Sequence, residues 1–194
     1  MLRIIFRLIF FLKGWKLDDA LLKEHNISRC VMLAAPHTSN WDGVFLIAAF
    51  LKMGAPIRFT LKKEWMRFPL NYLIGPLGAI GIDRSPKDGS TERISMVDAM
   101  ANLYKDGGEM YIVIAIEGSR SPRDEWKTGF YYVAQKAEVP IICGYLDYKN
   151  RVAGVGKIIH PSGDVEADMQ DIVNFYRDIT PCIPENFVLD KKYQ

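Results

Sequence analysis

Residues 29–53 read RCVMLAAPHTSNWDGVFLIAAFLKM and combine the two patterns that decide the fold. Residues 29–35 are almost continuously apolar, which is typical of a strand that is buried on both faces of a sheet. Residues 41–53 follow the cap candidates Ser39 and Asn40 and stop before Gly54, which predicts a helix. A buried strand that leads through a short polar loop into a helix is the repeating unit of an α/β sheet.

The same alternation continues along the chain, without an internal repeat or a Pro/Gly/Ser linker. Strands are predicted at 57–62, 78–83, 110–116, 139–146 and 152–159, and helices at 65–75, 90–105, 126–137 and 165–179. We therefore expect a single α/β domain over residues 18–194, with a mixed, largely parallel sheet covered by helices on both faces. In such sheets the ligand lies beyond the carboxyl ends of the strands, so the residues that follow each strand are the candidate site.

Charge is unevenly placed along the 194 residues, although the sum is only +2. Residues 1–17 contain Arg3, Arg7, Lys13 and Lys16 and no acid, so residues 18–194 sum to −2. The body therefore lacks the basic excess of a nucleic-acid-binding domain. Its three cysteines show no C-x-x-C spacing, which fits a reducing compartment and gives no indication of a structural zinc site.

The basic amino terminus carries an apolar run, Leu2–Leu12, that is interrupted by two arginines. Eleven residues are too few to span a bilayer as a helix, and no small-residue cleavage site of a signal peptide follows. We predict that residues 1–17 form an amphipathic helix that associates with the cytoplasmic face of the cell membrane, as in a peripheral or monotopic protein. The alternative is a helix that docks on the domain and covers part of its core.

A histidine and an aspartate flank the start of the helix predicted at 41–53. His37 belongs to the loop and Asp42 to the first turn of the helix, so the two side chains can meet, which residues five apart on one continuous helix cannot do. An Asp beside one imidazole nitrogen fixes the tautomer and leaves the other nitrogen as a general base. A histidine without a catalytic role in the loop is the competing interpretation.

Cations follow three other predicted strands. Arg120 lies in the run Glu117-Gly118-Ser119-Arg120 after strand 110–116, and Arg84 follows strand 78–83. Lys62 ends strand 57–62, and Lys63 follows it. An arginine at such an edge can form forked hydrogen bonds with a phosphate or carboxylate, and Gly118 allows a close backbone approach. Their joint position at strand ends predicts an anion-binding site beside His37.

Four segments in this order resemble the four sequence blocks of the glycerophospholipid acyltransferases, the family of 1-acylglycerol-3-phosphate acyltransferase. They are His37-Thr38-Ser39-Asn40-Trp41-Asp42, Gly81-Ile82-Asp83-Arg84, Glu117-Gly118-Ser119-Arg120-Ser121 and Val139-Pro140-Ile141-Ile142. The resemblance covers roughly residues 30–145. Ser119 stands where the family usually has Thr, and Ala115-Ile116 precede the third block in place of Phe-Pro. These departures bear on which acceptor is used and leave the acyl transfer and its base unchanged.

The resemblance implies transfer of a fatty acyl group from a thioester, acyl-CoA or acyl carrier protein, to the hydroxyl of a lysophospholipid-like acceptor at the membrane, in phospholipid biosynthesis. It implies His37 as the general base and Asp42 as its orienting partner. It further implies that the acceptor is bound by Arg84, Glu117, Gly118, Ser119 and Arg120. Such a reaction needs neither an enzyme nucleophile nor a metal or redox cofactor, and the sequence has no G-x-S-x-G elbow.

Other functions use the same residues. A non-catalytic protein could hold an anionic lipid in the same groove without turnover, and a hydrolase could act on the same thioesters. A lyso-aminolipid or another acceptor without a phosphate could replace the lysophospholipid, since the loss of a phosphate contact changes specificity and leaves the base intact. The sequence does not choose the acyl donor, the chain length or the oligomeric state.

Overall fold

One mixed sheet forms the centre of the molecule in the computed structural model, which describes residues 2–61, 72, 75–81 and 95–194. The strands found in these ranges are β1 Lys16–Asp18, β2 Arg29–Ala34, β3 Ile57–Leu61, β4 Ala79–Gly81, β5 Met110–Ile114, β6 Ile141–Asp147 and β7 Val152–Ile159. Their spatial order is β1-β7-β6-β2-β5-β3-β4. All neighbours pair in parallel except β6 and β7, which are antiparallel. The predicted mixed, largely parallel sheet is confirmed.

Helices cover both faces of this sheet. Those in the described ranges are α1 Leu2–Leu12, α2 Ala20–Glu24, α3 Asn40–Met53, α4 Met96–Asn102, α5 Gly129–Ala137 and α6 Val165–Tyr176. Because successive side chains of a strand point to opposite faces, Val31 and Leu33 of β2 pack with α4, α5 and α6, whereas Cys30 and Met32 pack with α2 and α3. A central strand buried on both sides explains the continuous apolar run of β2.

The predicted elements match the structure closely, with differences at their ends. The helix predicted at 65–75 lies outside the described residues apart from Tyr72 and Gly75, and so does the first part of the helix predicted at 90–105. The strand β1 and the helix α2 were not predicted, because three and five residues are too few to show a periodic pattern. The helix predicted over residues 1–17 is shorter than expected: it ends at Leu12, and Lys16 and Leu17 belong to β1.

The loop between β2 and α3 is fixed by hydrogen bonds at the start of the helix. The Ser39 side chain accepts a hydrogen bond from the Trp41 amide at 3.2 Å, and the Ser39 amide donates to Asp42 Oδ2 at 2.8 Å. Such reciprocal bonds satisfy amide groups that a helix start leaves without partners. The helix ends at Gly54, whose φ of +77° is favourable for glycine. The predicted helix therefore forms, one residue longer than expected.

The amino-terminal helix α1 packs on α3 and turns an apolar face outward. Phe10 is buried in a cluster with Trp15 and Phe45, whereas Phe11 is 77% exposed. The other exposed apolar side chains of α1 are Ile4, Ile5, Leu8 and Leu12. Within the described residues, no helix is both long and apolar enough to cross a bilayer.

The two arginines of α1 both donate hydrogen bonds to the domain. Arg3 donates to the carbonyl oxygen of Pro76 at 2.9 Å, and Arg7 donates to that of Leu51 at 2.5 Å. Both guanidinium groups therefore help to fix the helix on the domain and remain solvent-exposed. One side of α1 is bound to the domain, and its outer apolar side is left in contact with solvent.

Candidate active site

The structure brings His37 and Asp42 together at the carboxyl end of β2. His37 Nδ1 lies 3.3 Å from Asp42 Oδ2. Asp42 is 4% exposed, whereas the His37 side chain is partly open to solvent. An aspartate on the Nδ1 side leaves Nε2, across the ring, as the nitrogen that can take a proton from a substrate. The geometry predicted for this pair is therefore present.

The Asp42 carboxylate is surrounded by donors. Oδ2 accepts hydrogen bonds from the amides of Thr38 and Ser39 at 2.7 and 2.8 Å. Oδ1 accepts a hydrogen bond from the hydroxyl group of Tyr148 at 2.7 Å. Burial of a carboxylate is unfavourable unless hydrogen bonds replace its water, and here both oxygens have such partners. The carboxylate is consequently held in one orientation toward His37.

Glu117 lies behind the His37 loop rather than at its surface. Its Oε1 accepts a hydrogen bond from the His37 amide at 2.9 Å, and the residue is only 5% exposed. Oε2 is buried and has no hydrogen-bond partner in the described part of the chain. Burial raises the pKa of Glu117 to about 7, although the His37 amide opposes this change. Glu117 therefore ties the end of β5 to the backbone of the candidate base.

The turn after Glu117 faces the same space as His37. Gly118 has a φ of +67°, and a Cβ atom there would lie 2.6 Å from Lys127 Cε, so this position favours glycine. Ser119 Oγ accepts a hydrogen bond from Arg123 Nε at 3.2 Å. Arg120 is exposed and lines the cavity together with Lys127. Arg84, Lys62 and Lys63, the other cations of the predicted anion-binding site, lie outside the described residues.

A cavity of about 960 Å³ opens between α3 and the sheet. Polar side chains at the carboxyl edge of the sheet line it, namely His37, Asp42, Ser119, Arg120, Ser121 and Lys127. Apolar side chains line the remainder, among them Met32, Leu46, Ile47, Phe50, Met53, Phe59, Val113 and Val155. The lining follows α3 from Asp42 to Met53, a length of about 17 Å at 1.5 Å rise per residue. The volume is within the range of roughly 300–1,000 Å³ of small-molecule sites.

The carboxyl-terminal segment, residues 180–194, secures the His37 loop from the other side. Thr38 is 2% exposed, and its hydroxyl group accepts a hydrogen bond from the Ile183 amide at 3.2 Å. Its carbonyl oxygen accepts one from Asn186 Nδ2 at 3.3 Å. Asp190 in turn accepts a hydrogen bond from the Trp126 amide at 2.6 Å. The segment thereby connects the loop to the region that follows Arg120.

Sequence reasoning missed Tyr148, Lys127 and the carboxyl-terminal segment. Tyr148 follows β6, so the rule that directs attention to strand ends could have found it. Lys127 falls in the helix predicted at 126–137 and not at a strand end, and the fold brings it beside Gly118. At the start of α3, the amides of Trp41 and Asp42 both donate to Ser39, to its hydroxyl and carbonyl oxygens respectively. Gly43 lines the cavity.

The fold and the site together are suited to one kind of chemistry, reaction of a hydroxyl group in the presence of a long apolar chain. A histidine beside an oriented carboxylate at the strand ends of an α/β sheet can activate a hydroxyl group, and the adjoining apolar cavity can hold a hydrocarbon chain. In the described residues no group of three His, Cys, Asp or Glu side chains is placed to hold a metal ion.

Comparison with known proteins identifies the family. Residues 22–146 match the family model described as Acyltransferase, so the chain belongs to the acyltransferase family. No curated protein matches the sequence significantly. A solved structure with a similar fold is the 1-acyl-sn-glycerophosphate (LPA) acyltransferase PlsC from Thermotoga maritima, with a TM-score of 0.57 and 16% sequence identity. The match covers 92% of this chain and 80% of that one. The family predicted from the four blocks is confirmed at the level of the acyltransferases.

Proposed function

We propose that this acyltransferase moves a fatty acyl group from a thioester donor to the hydroxyl group of a lysophospholipid-like acceptor. The donor is acyl-CoA or an acyl carrier protein. His37 is the general base and Asp42 orients it. The observation that carries this proposal is the placement of the His37–Asp42 pair in the lining of a long apolar cavity. The cavity has a base in its polar part and apolar side chains along the rest of its lining. This arrangement suits a substrate that has a hydroxyl group and a fatty chain.

The proposed reaction uses direct attack by the acceptor. His37 Nε2 removes the hydroxyl proton as the acceptor oxygen attacks the thioester carbonyl carbon. The carbon–sulfur bond of the tetrahedral intermediate then breaks, and the imidazolium returns the proton to the departing sulfur. The products are an ester and a thiol, and no acyl-enzyme forms. Asp42 stabilises the imidazolium between the two proton transfers, which is the role of the aspartate in a catalytic triad.

An anionic acceptor headgroup suits the charges beside the base. Arg120 and Lys127 line the cavity, and both are exposed at its polar part. We assign acceptor binding to the predicted residues Arg84, Gly118, Ser119 and Arg120, and we add Lys127 to them. Glu117, which was also predicted to bind the acceptor, is assigned instead to holding the His37 loop in place. The acceptor named for the PlsC of similar fold is a lysophosphatidate, whose phosphate is an anionic headgroup. A lyso-aminolipid would need fewer of these cations.

The amino-terminal helix gives the proposed enzyme a route to lipid. We propose that α1 associates with the cytoplasmic face of the membrane. The catalytic domain, expected over residues 18–194, also includes Lys16 and Leu17, since these residues belong to strand β1 of the sheet. The exposed apolar side chains of α1 and the basic residues Lys13 and Lys16 suit an anionic lipid surface. Trp41, at the start of α3, is also exposed and stacks on Phe45, 5.9 Å away.

A direct assay tests the proposed reaction. The purified protein is incubated with acyl-CoA or acyl carrier protein and a panel of lysolipids, and thiol release and lipid products are measured. We expect diacyl product in proportion to the thiol, with acceptors that carry a phosphate used best. Free fatty acid as the main product would indicate a hydrolase, and lysolipid binding without turnover would indicate a lipid-binding protein. Either result contradicts the proposal.

Substitution on the outer face of α1 tests the membrane proposal. The double variant Leu8→Ser/Phe11→Ser is expected to weaken binding to phosphatidylglycerol vesicles by on the order of ten-fold or more, because two apolar side chains no longer enter the lipid. Vesicle flotation measures the binding. The matched control is Met96→Ser/Tyr132→Ser, which changes two exposed apolar residues on helices of the opposite sheet face. Equal binding of wild type and the α1 variant would contradict the proposal.

A further inference from the structure

Tyr148 lies at the candidate site, but neither the sequence blocks nor the family segment 22–146 includes it. It follows β6, which runs parallel to β2, so the ends of both strands meet at the edge of the sheet where His37 lies. The proposed reaction as derived above uses His37 and Asp42 and leaves Tyr148 without a role. Its hydroxyl group nevertheless makes a 2.7 Å hydrogen bond with the buried Asp42.

The bond completes the environment of Asp42. Thr38 and Ser39 donate to Oδ2, which also faces His37, whereas the donor to Oδ1 is Tyr148. Without that donor, Oδ1 would keep its charge in a buried position with no replacement for water, which is unfavourable. The carboxylate would then gain from rotating toward solvent, and Oδ2 would leave its position beside His37.

The tyrosine itself is firmly held, as a positioning group must be. The Asp147 carboxylate accepts hydrogen bonds from the amides of Lys149 and Asn150 at 3.0 and 3.2 Å and so closes the turn that carries Tyr148. The Tyr148 amide donates to the carbonyl oxygen of Thr180 at 3.0 Å. The turn is therefore held by hydrogen bonds within itself and by a further hydrogen bond to the carboxyl-terminal segment.

The ring of Tyr148 is fixed by two aromatic neighbours. It meets Trp15 edge-on with the ring centres 4.9 Å apart, and Phe45 edge-on at 5.9 Å. Trp15 stacks on Phe45 at 4.3 Å, so the three rings form one cluster. Edge-to-face and offset-stacked contacts of this kind are favourable and directional. Trp15, between α1 and β1, and Phe45 of α3 thereby hold the ring so that its hydroxyl group is aimed at Asp42.

We propose that Tyr148 is a positioning residue that fixes Asp42, and through it His37, in the reactive arrangement. The inference rests on the proposed function, because it assigns Tyr148 an effect on the same base. Tyr148 acts on a neighbour of the base and does not itself meet the substrate. Loss of its hydroxyl group therefore affects the reaction step and leaves substrate binding unchanged.

A double-mutant cycle in the full chain tests this role. Tyr148→Phe is expected to lower kcat about ten-fold, with KM for donor and acceptor within about two-fold of wild type, because an interaction needed for catalysis and not for binding is lost. In the Asp42→Ala background, where the acceptor of the bond is absent, Tyr148→Phe is expected to change kcat by less than about two-fold.

The control removes a similar bond elsewhere. Tyr104 donates to the carbonyl oxygen of Cys30 at 2.6 Å, at the opposite end of β2 from His37, so Tyr104→Phe should lower stability without changing kcat. An unchanged kcat for Tyr148→Phe, a change confined to KM, or the same fold loss of kcat in the Asp42→Ala background as in wild type would overturn the inference. Absence of acyl transfer by the wild-type protein would instead refute the proposed function, so the two failures are distinguishable.

Discussion

Replacement of His37 by alanine is expected to lower kcat for acyl transfer by about 10²–10⁴-fold, the contribution that a positioned general base makes. Without the imidazole, the acceptor hydroxyl must lose its proton to water while it attacks the thioester. The effect on KM should be small, since His37 is proposed to act on the proton and the remaining cavity lining is unchanged. Steady-state rates with a saturating acceptor measure the change.

The other two histidines provide the controls for this prediction. His25 and His160 are exposed and do not line the cavity, so His25→Ala and His160→Ala should retain wild-type rates. Thermal unfolding should show that His37→Ala still folds, because the His37 side chain is partly exposed and its amide bond to Glu117 does not depend on the imidazole. A folded His37→Ala protein with the full rate would refute the assignment of the base.

Glu117 is expected to make the stability of the protein fall as the pH rises toward neutrality. Its folded-state pKa is raised from the ordinary 4.5 to about 7 by burial, so between these values the folded state keeps a proton that the unfolded state has lost. The contribution to stability is therefore complete below pH 4.5 and is lost as the pH rises through 7. The difference corresponds to roughly 3 kcal/mol in the free energy of unfolding, at about 1.4 kcal/mol per pH unit.

Comparison with Glu117→Gln isolates this contribution from those of other titrating groups. The glutamine stays neutral, and its carbonyl oxygen can still accept the hydrogen bond from the His37 amide. Denaturant unfolding at several pH values should show that the variant gains stability relative to wild type between pH 4.5 and 8. Glu109→Gln, which changes an exposed glutamate, should show no such trend. A difference between Glu117→Gln and wild type that is constant with pH would contradict the prediction.

The fold and the reactive pair could both be predicted from the sequence because each depends on local patterns. The apolar run of β2, the cap at Ser39 and the spacing of His37 and Asp42 are contained within about fifteen residues. The turn at Gly118–Arg120 could also be predicted as part of the site, because it directly follows a strand and parallel strands place their carboxyl ends at one edge of the sheet. Local chemistry and the general geometry of α/β sheets were sufficient for these features.

The support of the site could not be predicted, because it depends on which distant segments become neighbours. The strand order places β6 beside β2, and only this order brings Tyr148 to Asp42. The burial of Glu117 likewise depends on packing around the end of β5, which the resemblance that implied acceptor binding for this residue does not reveal. The bonds from Ile183 and Asn186 to Thr38 join positions about 145 residues apart, which no periodic pattern reveals.

The segment that matches the acyltransferase family is shorter than the segment that forms the fold. The family segment ends at residue 146, yet β7, α6 and the fully buried Tyr176, whose hydroxyl group donates to the Gly144 carbonyl at 2.9 Å, all follow it. The carboxyl-terminal segment described above adds the bonds that hold Thr38. Transplanting the reactive segment alone into another chain would therefore move the chemical groups without the scaffold that aligns them, and a functional transplant would have to include the flanking residues on both sides.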